Sequence, residues 1–152
     1  MDWLSWAPLG AAMLHMFEEF VFPGGFMAWY RRYRDGGARV TVRFLVIINA
    51  ALLVACLDIG FLRHRTAGVI YWLVIAAVLC SNGIWHAWAS YKSRGYSPGV
   101  ITGLLIYLPM TVFGYIQFLR AGKVSAGAAI VAGSVGGSYH LWSALYHRST
   151  RG

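Results

Sequence analysis

Five long apolar runs, separated by short stretches rich in glycine, proline and basic residues, dominate this chain. Each run holds about 20 residues or more, enough to cross a hydrocarbon core of ~30 Å as an α-helix. Because lipid leaves no partner for free backbone groups, and because the runs are continuous rather than alternating, helices are favoured over barrel strands. The sequence therefore predicts an all-α polytopic membrane protein, a single domain over residues 1–152. Its bundle of about five transmembrane helices would use the spans 3–22, 44–62, 67–91, 98–119 and 124–146.

The composition supports a membrane protein. Hydrophobic residues make up 59% of the chain and charged residues 12%, about half of the roughly 25% charged residues in an ordinary soluble domain. The net charge of +8 is distributed as in membrane flanks, because the Lys and Arg residues fall between the apolar runs or near the chain end. We therefore expect membrane lipids, and no nucleic acid, as partners.

The basic residues also predict an orientation. Most of them follow the first or third run or lie in the carboxyl-terminal tail: Arg31, Arg32, Arg34, Arg39, Arg43, Lys92, Arg94, Arg148 and Arg151. The opposite side holds only Arg63, Arg65, Arg120 and Lys123. By the positive-inside rule, a cell-membrane protein with this pattern has its amino terminus outside and its carboxyl terminus in the cytoplasm.

Polar residues inside the apolar runs are the strongest functional signal. An ionisable group at the bilayer centre costs ~2.5–3.5 kcal/mol on insertion scales and marks a candidate functional site. The residues that stand out within the runs are His15, Glu18, Glu19, Asn49, Asp58, Asn82, His86, Thr102, Tyr107 and His140. Except for Asp58, they fall at a similar depth, because odd-numbered runs carry them in the second half and the antiparallel second run carries Asn49 in the first. The pattern predicts one polar cluster on the cytoplasmic side of the midplane.

The residue types in this cluster favour a divalent metal. On a helix, His15 and Glu19 lie ~40° apart and His15 and Glu18 ~60° apart, so one face presents an imidazole and two carboxylates. A metal ion would neutralise carboxylates that are costly to bury. Histidine and glutamate suit zinc or iron, as one ion or two. The predicted ligands are His15, Glu18, Glu19, His86 and His140.

Other residues of the cluster have predicted supporting roles. Glu18, as a general base, and Asn82 are the candidate catalytic residues, while Asn49 and Tyr107 are expected to support the ligands. Two metal-free alternatives remain open. The cluster could be a functional site without metal, or a structural network in which a protonated glutamate is hydrogen-bonded to histidine.

The fifth run is rich in small residues. Gly133 and Gly137 form a G-x-x-x-G pattern among alanines and serines. Small residues allow membrane helices to approach closely. This pattern predicts close packing within the bundle; the alternative is a homodimer that pairs through the Gly133/Gly137 face.

Three blocks of the sequence resemble the HXXEE domain family, which comprises small multi-pass bacterial proteins of unknown function. The first is Leu14 to Glu19, reading LHMFEE; the second joins Asn82 to His86 (NGIWH) with Tyr96 to Val100 (YSPGV). His140 is similar to a late histidine of that family. The resemblance implies a polar, metal-binding site at His15, Glu18, Glu19, Asn82, His86 and His140, and it supplies no reaction.

The predicted function is a membrane-embedded metalloenzyme that acts on a lipophilic small-molecule substrate by hydrolysis or, with iron, by oxidation. One alternative is a metal or proton carrier, since carboxylate and histidine side chains also form proton relays. Another is a metal-free glutamate-type intramembrane hydrolase, similar to CAAX-type proteases. The arginine expected four residues after the glutamate pair in that class is replaced here by Pro23.

Overall fold

The structure is a computed structural model that describes residues 2–33, 41–62 and 65–140. All regular secondary structure in these ranges is helical. The elements are α1 (Asp2–Phe20), α2 (Phe26–Tyr33), α3 (Val42–Leu62), α4 (Thr66–Ser93), α5 (Val100–Thr102), a π-helical turn (Gly103–Tyr107), α6 (Leu108–Arg120) and α7 (Ala126–Gly137). The all-α class expected from the sequence is therefore confirmed.

Three of these helical segments are long and apolar enough to cross a membrane. They are α3, α4 and the continuous helix Val100–Arg120, which joins α5, the π-helical turn and α6. Helix α1 covers most of the first apolar run, and α7 lies within the fifth. The end of the fifth run and several basic residues behind the predicted orientation, including Arg39 and Arg148, lie outside the described residues. The number of spans and the orientation therefore stay predictions.

Helix α4 is at the centre of the bundle and contacts α1, α3, α6, α7 and the π-helical turn. Trp72 and Leu73 on this helix are 1% and 0% exposed. The Trp72 indole N–H donates a 2.8 Å hydrogen bond to the backbone carbonyl of Leu4, which satisfies the one polar atom of that ring. By contrast, large apolar side chains such as Phe61 and Leu105 are 73% and 71% exposed on the outer surface, as expected for helices that face hydrocarbon.

A π-helical turn interrupts the helix that follows α4. The turn spans Gly103–Tyr107 and ends two residues before Pro109. The missing N–H of this proline cannot bond to the carbonyl four residues earlier. At the same level, a Cβ on Gly83 would lie 2.7 Å from the Gly103 carbonyl oxygen. Only a glycine pair permits this approach, which brings the start of the helix against the part of α4 that carries Asn82 and His86.

Helix α7 packs on α4 through small side chains. Ala129, Ala132 and Gly136 are the buried residues of α7. A Cβ on Gly136 would lie only 2.2 Å from the Val74 carbonyl oxygen, whereas a Cβ on Gly137 would meet nothing within 4 Å. The closest contact between these helices therefore uses Gly136, and pairing of two chains through Gly133 and Gly137 stays a prediction.

Candidate metal centre

Three buried side chains converge between α1 and α4. His15, Glu19 and His86 each offer one ligand atom, and these atoms lie within 4.8 Å of one another. Glu19 Oε1 is 3.0 Å from His86 Nε2 and 3.5 Å from His15 Nε2. The three residues are 2%, 6% and 1% exposed, in the order His15, Glu19, His86. We call this cluster the His–Glu–His group; it could hold a metal ion.

Hydrogen bonds orient the His15 ring. Thr102 donates its hydroxyl proton to Glu18 Oε2 at 2.5 Å, so the Thr102 oxygen is left to accept from His15 Nδ1–H at 2.8 Å. A neutral imidazole that carries its proton on Nδ1 is unprotonated on Nε2, and its lone pair there can accept a hydrogen bond or bind a metal. Metal-ligating histidines usually have their second ring nitrogen held in this way. His15 Nε2 is therefore a potential ligand atom, and it lies 3.5 Å from Glu19 Oε1.

The His86 ring is held by the same kind of contact. The buried Ser97 hydroxyl lies 3.0 Å from His86 Nδ1, and the Ser97 backbone N–H donates to Ser90 Oγ at 3.0 Å. These bonds fix the loop between α4 and α5 against the imidazole. With a hydroxyl at each Nδ1, both Nε2 atoms face the same carboxylate oxygen of Glu19.

Glu18, which was predicted as a ligand or general base, lies outside the His–Glu–His group. Its Oε1 accepts from the Tyr96 hydroxyl at 2.6 Å and from the Ile101 backbone N–H at 3.0 Å. Its Oε2 accepts from the backbone N–H and the hydroxyl of Thr102. The carboxylate thus caps the amino-terminal end of the helix that starts at Val100, where free N–H groups and the helix dipole favour an anion.

The loop residue Tyr96 contributes to this cap as a donor. Partial burial raises the pKa of the Tyr96 phenol, and so does its hydrogen bond to the Glu18 carboxylate. The phenol therefore remains protonated at neutral pH and keeps donating to Glu18.

Gly99 lies directly over the two imidazoles. Its φ of +101° falls in the left-handed region, and a Cβ there would lie 2.7 Å from His15 Cε1 and 2.9 Å from His86 Cε1. A side chain at this position would occupy the space beside the ligand atoms. Gly99, Ser97 and Thr102 were not among the site residues predicted from the sequence. For Thr102 the signal was its depth in the fourth run, and for Ser97 and Gly99 it was the Ser97-Pro98-Gly99 helix start.

Asn82 and Tyr107 border the group, in agreement with the depth argument. Asn82 Nδ2 lies 3.0 Å from His15 Nε2, and the Tyr107 and His15 rings are 4.6 Å apart. The Tyr107 hydroxyl is buried and has no hydrogen-bond partner in the described part of the chain. Asn49 instead donates to the Leu45 carbonyl of its own helix at 2.9 Å, so the structure does not bring it to the group.

His140 is also outside the His–Glu–His group, because Trp85 lies between it and His86. The Trp85 and His140 rings stack with an interplanar angle of 8° and centroids 5.8 Å apart. The same indole contacts His86 edge-on at 4.9 Å. The structure therefore brings together three of the five predicted ligands and leaves out Glu18 and His140.

Aromatic side chains of α2 and α4 cover one side of the group. Phe26 of the short helix α2 is 6% exposed, and its ring lies 5.8 Å from that of His86. Tyr30 and Trp29 of the same helix pack against Trp85 at 6.2 and 6.0 Å. Burial of this kind lowers the local dielectric and strengthens every charge interaction within the group.

These features define an all-helical protein with a buried His–Glu–His group able to bind a metal. A family model described as "Protein of unknown function with HXXEE motif" matches residues 6–114, and the chain belongs to this HXXEE family. No curated protein and no solved structure matches the chain. The motif that names the family supplies His15 and Glu19 to the group, while Glu18 caps a neighbouring helix.

Thr102 provides a first test of this arrangement. In Thr102→Val, His15 Nδ1 loses its acceptor and Glu18 loses a donor, so we expect metal affinity to fall by about 10–100-fold, as for other residues that orient ligands. Thr102→Ser keeps the hydroxyl and should bind metal like the wild type. Competition with a chelator of known affinity measures both variants; equal affinity in Thr102→Val would contradict the role of the hydroxyl.

Proposed function

We propose that this protein is a membrane-embedded metalloenzyme whose single divalent ion, zinc or iron, is bound by His15, Glu19 and His86. The observation that carries the proposal is the convergence of both Nε2 atoms on one Glu19 oxygen, while hydroxyl groups hold both Nδ1 atoms. A buried carboxylate between two neutral imidazoles needs a compensating positive charge. A divalent cation supplies that charge, and nitrogen and carboxylate ligands suit zinc and iron.

The number of ligands favours a catalytic metal site over a structural one. Catalytic zinc sites have three protein ligands and keep one position for water or substrate, whereas structural sites are closed by four. The His–Glu–His group offers three. Asn82 and the Tyr107 ring border it, and the buried Tyr107 hydroxyl has no partner within the described ranges. Polar groups are therefore available to orient a bound reactant. A second ion is not part of the proposal, because four donors already occupy Glu18.

We infer a lipophilic small-molecule substrate and a hydrolytic or oxidative reaction. Three helical segments can cross a membrane, and a substrate dissolved in lipid could reach the buried group laterally. When bound, the metal would activate water or, if it is iron, oxygen. Asn82 would hold the substrate beside His15, and the Phe26 and Trp85 rings would exclude bulk water.

Metal content tests the ligand set. We expect His86→Ala, purified in detergent, to lose most of its zinc or iron, because one of three ligands is removed. His140→Ala is the matched control, since it removes a membrane histidine outside the group and should retain the metal. Elemental analysis of both variants and the wild type decides the result. Equal metal in His86→Ala, or loss in His140→Ala, would contradict the assigned ligands.

The reaction is tested with metal-loaded protein in lipid nanodiscs. Mass spectrometry of the extracted lipids should show products that gain water if the enzyme is hydrolytic, or oxygen if it is oxidative, and Glu19→Gln should form neither. A metal-loaded wild type that forms no product from a broad lipid extract would favour the carrier function.

We also propose that the amino terminus faces outward and the carboxyl terminus the cytoplasm. The excess of basic residues after the first and third runs supports this orientation. Single cysteines introduced at positions 35–39 should then resist membrane-impermeant labels in intact cells and react after lysis. Labelling of these positions in intact cells would reverse the proposed topology.

A further inference from the structure

A cavity separate from the His–Glu–His group lies on the outer face of α4, between α4, α6 and α7. Its volume is about 750 Å³, within the range of ~300–1,000 Å³ typical of small-molecule sites. Its walls are mainly apolar and aromatic, and Trp85 separates it from His86. We call it the α4–α7 groove; its lining includes Ile84, Trp85, Trp88, Val112, Ile116 and His140.

Only one buried polar side-chain atom at this groove lacks a partner in the described part of the chain. The hydroxyl groups of Ser81, Thr111 and Tyr115 donate to carbonyls of α4 at 2.8, 3.0 and 3.0 Å. These bonds make the walls effectively apolar. His140 Nε2, in contrast, is buried and has no hydrogen-bond partner among residues 2–33, 41–62 and 65–140. A buried polar atom without a partner is unfavourable, so a ligand with a hydrogen-bonding group at one end would satisfy it.

From this geometry we propose that the α4–α7 groove binds one acyl chain, with a carbonyl or hydroxyl at its polar end hydrogen-bonded to His140 Nε2. Helix α4 and the helix Val100–Arg120 form two of the walls, and both are long and apolar enough to span a membrane. The open side of the groove would then face hydrocarbon, where acyl chains are the abundant ligand. The proposal does not depend on metal at the His–Glu–His group and assigns His140 a separate role.

A second copy of this chain fits the groove less well. Helix pairing through G-x-x-x-G requires that both glycines be open to the partner backbone. A Cβ on Gly133 would already lie 3.2 Å from the Tyr115 hydroxyl, so this position is covered from within the chain. A thin, flexible chain can pass beside Tyr115, whereas a second helix would have to displace it.

Photocrosslinking with matched glycine variants tests the groove. A Cβ at Gly137 or at Gly127 would meet nothing within 4 Å, and only Gly137 lines the groove. Gly137→Leu should therefore fill the groove without disturbing the bundle, and Gly127→Leu controls for an added leucine on the same helix. With a fatty acid that carries a diazirine in its chain, we expect wild type and Gly127→Leu to be labelled at Ile84, Trp85 or Val112. Labelling of Gly137→Leu should fall at least about tenfold, a difference in affinity of ~1.4 kcal/mol.

His140→Phe tests the polar end of the ligand. Phenylalanine keeps a ring to stack on Trp85 but has no Nε2, so we expect several-fold weaker labelling at equal probe concentration. A phosphatidylcholine with the same diazirine distinguishes the source. Labelling by both probes assigns the groove to membrane lipids, and labelling by the fatty acid alone assigns it to free fatty acids.

Three results would overturn this proposal. Undiminished labelling of Gly137→Leu would place the probe outside the groove, and undiminished labelling of His140→Phe would remove the polar anchor. Crosslinks from the groove to a second copy of the chain would make it a dimer interface. Metal content is measured on the same samples and should be equal in all of them, so failure here is distinguishable from failure of the proposed metal centre.

Discussion

Glu19→Gln is expected to lose its metal and to melt at a lower temperature than the wild type. Glutamine keeps the size of the side chain and a neutral oxygen but removes the anionic ligand between the His15 and His86 Nε2 atoms. A ligand at 100 times its Kd contributes about 2.7 kcal/mol to folding stability. For a protein of this size that corresponds to a drop in Tm on the order of 5–10 °C.

A metal-free hydrogen-bonded network gives the opposite expectation for the same variant. Glutamine and protonated glutamic acid are close isosteres that can both donate to an imidazole, so Glu19→Gln would be neutral or slightly stabilising. Asp58→Asn is the control, because it also replaces a carboxylate by an amide, but on an exposed residue of α3. It should alter neither the metal content nor the Tm. A metal-free wild type, with an unshifted or higher Tm in Glu19→Gln, would contradict the metal centre.

Helix geometry explains why two members of the His–Glu–His group, His15 and Glu19, could be predicted to lie together from the sequence alone. Residues four apart share a helix face, which joined His15 to Glu19 before any tertiary contact was known. The depth of each residue follows from its position along an apolar run at 1.5 Å per residue. That relation placed His86 and Asn82 at the level of His15, where the structure has them.

Which of Glu18 and Glu19 caps a helix and which meets the histidines could not be predicted in the same way. The two carboxylates are neighbours on one helix and differ by about 100° in direction. Which of them meets the histidines depends on where the helix starting at Val100 places its free N–H groups, and Glu18 is the residue that meets them. The Ser97-Pro98-Gly99 helix start indicated that such an end exists but not which helix lies against it.

His140 shows that matched depth does not determine which face of a helix meets a site. Helix α7 packs against α4 through Ala129, Ala132 and Gly136, on the side of α4 where the groove opens. His140 then stacks on the outer face of Trp85, while His86 contacts the same indole edge-on. Which side of a neighbouring helix a helix packs against depends on the fit of side chains between the two helices. The hydropathy pattern of the sequence does not determine that choice.

Gly136→Ala tests that packing directly and is expected to have the largest effect on stability among single-methyl changes in α7. The new Cβ would lie 2.2 Å from the Val74 carbonyl oxygen and 2.7 Å from the Ala77 Cβ. Since the Val74 oxygen belongs to the helix backbone, α7 has to move away from α4. Overpacking of this kind typically costs about 1–3 kcal/mol, or on the order of 5 °C in Tm for a chain of this length.

Gly137→Ala is the matched control, because its Cβ would meet nothing within 4 Å and alanine is the better helix former by up to about 1 kcal/mol. Its Tm should equal or slightly exceed that of the wild type in the same detergent. Helix α7 supplies none of the three proposed ligands, so Gly136→Ala should melt earlier and still retain its metal. Equal Tm values for the two alanine variants would contradict the α4–α7 contact. Loss of metal in Gly136→Ala would show that metal binding depends on the packing of α7.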